Sequence, residues 1–167
     1  MKKGNEAYAL AAGLLLLLAG SGAQAQDERK GCIALQTVAQ TEQEYVDERG
    51  QRATRLVPAA KVVPGMQVVW TVTASNVCDK PADKVFIDNP VPQHMSYVPQ
   101  SAFGAGADIQ FSLDGRRFAA ADALQVQEAD GHSRAARSDE YTHIRWNFRN
   151  PIGPGQVAIA SFRATLK

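Results

Sequence analysis

Short runs of period-two alternation constrain this chain more than any other feature of its sequence. In the run from Met66 to Asn76, Val68, Trp70, Val72 and Ala74 fall on one face of an extended chain; Gln67, Thr71, Thr73 and Ser75 fall on the other. Successive side chains of a strand point to opposite faces, so the pattern specifies a strand buried on one side. The run from Tyr141 to Phe148 repeats it, with Thr142, Ile144, Trp146 and Phe148 on one face. So does Val157 to Leu166, where Val157, Ile159, Ser161 and Arg163 oppose Ala158, Ala160, Phe162 and Ala164. From Cys32 onward no convincing stretch has the 3.6-residue spacing of an amphipathic helix, and the chain is expected to be all-β.

Turn residues punctuate the remaining runs. Ile33, Leu35 and Thr37 alternate with Ala34, Gln36 and Val38, which predicts a first strand. Glu42 to Asp47 and Arg52 to Val57 flank Glu48-Arg49-Gly50-Gln51, a hairpin in which Gly50 takes a positive φ and acidic and basic side chains pair across the strands. Further short strands are expected at Lys84 to Ile87, ended by Asp88-Asn89-Pro90, and at Met95 to Val98, Ile109 to Leu113 and Leu124 to Val126. Ser101 to Ala107 and Glu128 to Arg137 read as loops. Eight or nine short strands with hairpin-compatible spacing and no crossover helix predict an antiparallel Ig-like β-sandwich. Trp70 and Trp146, one from each of two strong strands, are its expected core anchors.

The first 25 residues read as a leader rather than as part of the fold. Lys2 and Lys3 precede a charge-free stretch from Ala7 to Gln26, with Leu14 to Leu18 at its centre. Ala23 and Ala25 form the small-x-small pair that signal peptidase accepts, which predicts cleavage between Ala25 and Gln26. No stable membrane anchor is then expected, and the chain is expected to be exported to the periplasm, the cell surface or the exterior. Of 18 basic and 17 acidic residues, cleavage removes Lys2, Lys3 and Glu6, leaving sixteen of each sign. A balanced surface gives no long-range pull toward nucleic acid. Cys32 and Cys78 are the only cysteines, and an even count in an oxidising compartment predicts a disulfide between them. Residues 26–55 then form an N-terminal strand and hairpin ahead of a single sandwich domain over residues 56–167.

Val63-Pro64-Gly65-Met66-Gln67-Val68-Val69-Trp70-Thr71-Val72-Thr73-Ala74-Ser75-Asn76 resembles the opening of DUF11 domains, a Pro-Gly turn followed by a Thr-and-apolar strand and Asn. The piece from Pro81 to Pro92, Met95-Ser96-Tyr97-Val98, and Ile144-Arg145-Trp146 followed by Pro154-Gly155 are similar to that family's later strands and closing turn. The resemblance spans about residues 56 to 167. It implies an Ig-like module of an exported protein, without enzymatic activity and with no catalytic residues to transfer.

The residues themselves point the same way. His94, His132 and His143 lack metal-ligand spacing, and neither cysteine has a CxxC partner. Asp79, Asp83 and Asp88 surround one turn and could at most form a weak Ca²⁺ site, since no EF-hand-type loop is present. No cofactor is expected. No nucleophile elbow or phosphate-binding glycine loop occurs, so no catalytic residues are assigned. Tyr141, His143 and Arg145, on the polar face of one strand, together with Arg163, form a candidate recognition patch. The expected function is a non-catalytic exported module with a structural or protein-interaction role at the cell envelope. The alternative is a self-assembling or chaperoned surface subunit that adds its N-terminal segment as a strand to a neighbour.

Overall fold

A computed structural model describes residues 31–167; the expected leader, and the cleavage expected at Ala23, Ala25 and Gln26, lie outside the described residues. The chain is an all-β sandwich of antiparallel strands. It runs through β1 (Ile33–Val46), β2 (Arg52–Pro58), β3 (Gln67–Asn76), β4 (Phe86–Pro90), β5 (Met95–Tyr97) and β6 (Phe103–Gly104). Then follow β7 (Ala107–Ser112), β8 (Gln125–Gln127), β9 (Ser133–Ala135), a 3-10 turn (Ser138–Glu140), β10 (His143–Phe148) and β11 (Val157–Leu166).

The larger sheet has the order β2-β1-β3-β11-β5, with β6 beside β5 on the same edge of β11. The smaller has the order β4-β10-β7, and β8 and β9 form a separate ribbon. Alternation decides which residues meet between the sheets. Val72 and Ala74 of β3 and Ala160, Phe162 and Ala164 of β11 pack against Ile87, Phe111, Ile144, Trp146 and Phe148. Trp146 is fully buried, and Trp70 is half-buried with its ring 6.5 Å from Phe162.

The first strand and the hairpin expected after it merge into one strand. β1 is 14 residues long; Ile33–Gln40 pair with β3 and Gln40–Val46 with β2, on opposite edges. Gly50 turns the hairpin at φ +75°, and the Asp47 carboxylate accepts the Arg49 and Gln51 amides. The expected charge pairs across this hairpin do not form. Arg55 donates instead to Gln43 Oε1 and lies over the Tyr45 ring, while Glu42 reaches Arg163 of β11.

Three other expectations are corrected. β4 continues through Asp88 and Asn89 to Pro90, because it is an edge strand: Val85 and Val91 bond β10, so Pro90 faces the free edge where no donor is needed. Phe103–Gly104, expected in a loop, pair with Ser161 and Ala160. The expected loop Glu128–Arg137 contains β9, the return strand of a ribbon with β8. That ribbon lacks a buried face and is held by charge. Arg134 is bidentate to Glu140 (2.7 and 2.6 Å) and also binds Glu128, which ties the ribbon to the 3-10 turn.

The crossing from β3 toward the smaller sheet is fastened twice. Cys32 and Cys78 form the disulfide, with Cα atoms 5.1 Å apart. Beside it the buried Asn76 donates to the Lys80 (2.8 Å) and Ile152 (2.7 Å) carbonyls and accepts the Cys78 amide (3.0 Å). Every polar position of that amide is therefore used, which is the condition for burying it without penalty.

Candidate functional site

The four residues expected to form one recognition patch lie in three places. His143 and Arg145 share the outer face of the smaller sheet. Tyr141 is in the core, 4.6 Å from Phe111 and 5.9 Å from Tyr97 between ring centroids. The alternation of β10 begins only at His143, because the 3-10 turn before it sets Tyr141 into the end of the sandwich. Arg163 belongs to β11 and so to the other sheet, where it pairs with Glu42. Reading one strand at a time could not reveal this separation.

On the smaller sheet, Arg145 Nη2 donates to Asp88 Oδ2 at 2.8 Å. Its guanidinium carbon lies 3.6 Å from the Phe118 ring centroid and 4.9 Å from that of Phe86. Phe118 returns over the sheet after the Ser112–Arg117 turn, in which Asp114 accepts the Arg116 and Arg117 amides. Those donors hold the Asp114 carboxyl well below the ordinary carboxylate range. Phe118 also meets His143 edge-on at 6.5 Å, and Gly115 carries no side chain where a Cβ would come within 2.7 Å of that imidazole. The arginine thus clamps a turn to the sheet. Its charge is neutralised by Asp88 and its faces are covered, so little remains for an incoming ligand.

Asp79, Asp83 and Asp88 are not brought together for a cation. Asp88 serves Arg145, and Asp83 accepts the amide of Lys84. Among the described residues no group of three or more His, Cys, Asp or Glu side chains is placed to hold a metal ion. A pocket of about 300 Å³ opens between the sheets beside Tyr97, Ala102, Ile109, Phe111 and Tyr141. Burial pushes the Tyr141 phenol above its ordinary pKa, while the Tyr97 hydroxyl accepts the Ala102 amide at 3.1 Å. This pocket is an aromatic hollow in which the Tyr97 and Tyr141 rings stand 5.9 Å apart between centroids beside apolar side chains.

The surface that stands out is the outer face of the larger sheet. Strand register places Ala34, Ser75 and Val157 in one row; Gln36, Thr73 and Ile159 in the next; and Val38, Thr71, Ser161 and Phe103 in the third. No charged residue interrupts these rows. Val38 is 40%, Ile159 46%, Val157 55% and Phe103 61% exposed. The Arg163–Glu42 ion pair bounds the face on one side. On another, a hollow of about 330 Å³ opens beside Phe103, Ile152, Val157 and Ile159. Residues read from sequence only as strand faces are here assembled into one uncharged surface across four strands. The signal available in advance was the apolar Val157 and Ile159 on the nominally polar side of β11.

Charge fastens the ribbon at the far end of the chain, and this gives a pH dependence. Arg134, together with the Arg137 amide, lowers the Glu140 carboxyl from 4.5 to about 2. A carboxyl depressed in the folded chain contributes stability above its unfolded value and loses it as pH falls through its folded value. The β8–β9 ribbon is therefore expected to loosen as pH falls from about 4.5 toward 2, read as a falling amide protection factor at Val126 and Arg134, each rate taken relative to that of the unfolded chain at the same pH. Glu140→Gln should exchange fast already at neutral pH and lose that acid-dependent step. An unchanged acid step in the variant would remove Glu140 as its cause.

No family model matches the chain, and neither a curated protein nor a solved structure matches it.

Proposed function

We propose that this chain is a non-catalytic exported module with a structural or protein-interaction role at the cell envelope. Its contact surface is the outer face of the larger sheet. The observation that carries this reading is the uncharged, four-strand surface presenting Val38, Phe103, Val157 and Ile159. A broad surface without charge that exposes large apolar side chains favours a contact, because an isolated monomer gains nothing by displaying them. The disulfide is compatible with the oxidising compartment that export provides, and no helix among the described residues is long and apolar enough to cross a membrane. The DUF11 resemblance supports the same kind of exported module. The commitment of Arg145, Asp88, Arg134 and Glu140 to contacts within the chain supports a role without catalysis. Of the segment Gln26 to Ala39, the alternative donor strand, the described part is engaged at home. Residues Ile33–Gln40 pair with β3, and the disulfide fastens their start, which favours a resident strand over a donated one.

The test places a photo-crosslinking residue at Ile159 or, for comparison, at Arg116 on the opposite sheet, in the native host. Crosslinks to an envelope component from position 159 and none from position 116 are expected. Val38→Lys with Val157→Lys, made in the chain that carries the probe at position 159, should abolish them while changing folding stability by less than about 0.5 kcal/mol, as exposed sites do. Equal background labelling from both positions would overturn the assigned surface. Turnover in a broad hydrolase screen would overturn the non-catalytic reading.

A further inference from the structure

We propose that two copies of this chain pair edge to edge through the first half of β1, joining their larger sheets into one continuous antiparallel sheet. The proposal rests on the interaction-module reading and names one partner for it. Along Ile33–Gln40 the even-numbered residues bond β3, since the Val77 amide donates to the Cys32 carbonyl at the same edge. The odd-numbered residues turn their amides and carbonyls to the other edge. β2 uses that edge only from Ala39 onward, where the Ala59 amide donates to the Ala39 carbonyl. At Ile33, Leu35 and Thr37 the edge therefore has no strand partner among the described residues.

Soluble sheet proteins guard such edges with lysine, proline, a bulge or a covering loop. Among the described residues this edge carries no guard. Ile33 to Thr41 contains no charge and no proline, pairing is regular on the β3 side, and Leu35 is 60% exposed. Leu35 points to the same side as the buried Ala74, its register partner, yet the three-stranded sheet is too narrow to cover it. A strand added at this edge would satisfy the free amides and carbonyls and shield Leu35 together.

A second copy fits this edge because the segment is self-complementary. Antiparallel pairing about a two-fold axis at Leu35 sets Leu35 of one copy opposite Leu35 of the other, and Ile33 opposite Thr37 at either end. Without charge in the segment, identical strands meet with no repulsion, and apolar side chains face one another across the pair. The shortness of the open edge implies a weak, concentration-dependent dimer.

The test follows the mature chain by light scattering and sedimentation over a wide concentration range, in non-reducing buffer. The expected result is a mass rising from one copy to two. Leu35→Lys places two lysines opposite each other and should weaken association at least about tenfold. Thr37→Pro removes an amide that has no partner among the described residues, so it should weaken association while leaving the monomer folded. Far-UV circular dichroism and the thermal midpoint check folding of both variants. A mass of one copy at every concentration would overturn the proposal, as would a dimer that both folded variants leave intact. Either result leaves the crosslinking test at Ile159 to stand on its own. A dimer lost in Val38→Lys but kept in Leu35→Lys would place self-association on the outer face and also overturn edge pairing.

Discussion

Opening the Cys32–Cys78 bond should lower the unfolding free energy by about 4 kcal/mol, the chain-entropy value for the 46-residue separation it closes. Most of that effect belongs to the unfolded chain. In the native state the two ends are already neighbours, because Ile33 pairs with Asn76 and the Val77 amide donates to the Cys32 carbonyl. The disulfide therefore adds little to native contacts and instead denies the unfolded chain its most open conformations. Denaturant unfolding of the chain from Gln26 onward with and without reductant, and of its Cys32→Ser/Cys78→Ser variant, measures the effect. A shift below about 1 kcal/mol would show that the unfolded chain keeps these strands close without the bond. The site matters for the proposed dimer as well, since the bond holds the end of the open β1 edge in place.

The second large effect is expected at Trp146. Its side chain is fully buried at the centre of the smaller sheet, with its ring centroid 6.1 Å from that of Phe162 in the opposing sheet. Trp146→Ala should cost about 3–5 kcal/mol, from lost burial and from a cavity that two rigid sheets cannot close. Trp146→Phe should recover part of it by refilling the space. The local chain is shaped around this ring: a Cβ on Gly104 would lie 2.6 Å from Trp146 Cδ1, so β6 passes close over the indole only as glycine. Calorimetry of the two variants gives the comparison. If Trp146→Ala unfolded like the parent, the ring would not bridge the sheets as the packing implies.

Strands that bury one face were legible from the sequence, because burial on one side imposes alternation on the residues themselves. β3, β10 and β11 carry that signal, and so does the Gly50 turn. Elements held by other forces carried none. The ribbon of β8 and β9 depends on Arg134 bridging Glu128 and Glu140, and two-residue β6 depends on its neighbour β11. The candidate recognition patch failed for a related reason. Tyr141, His143 and Arg145 alternate in sequence, but Tyr141 directly follows a 3-10 turn that sets it into the core ahead of the strand carrying the surface pair, and Arg163 lies in the other sheet.

The sequence by itself determined an all-β chain, its main strands and their buried faces, and a cysteine pair suited to an oxidising compartment. Those properties are local, written in side-chain period, turn residues and count. The tertiary structure alone decided which strands became neighbours. It thereby decided that Val38, Phe103, Val157 and Ile159 share one uncharged face, and that β1 has no strand partner at its Leu35 edge among the described residues. Strand order and sheet width arise from pairing between segments far apart in the chain, and no local pattern encodes which face or edge such pairing leaves uncovered.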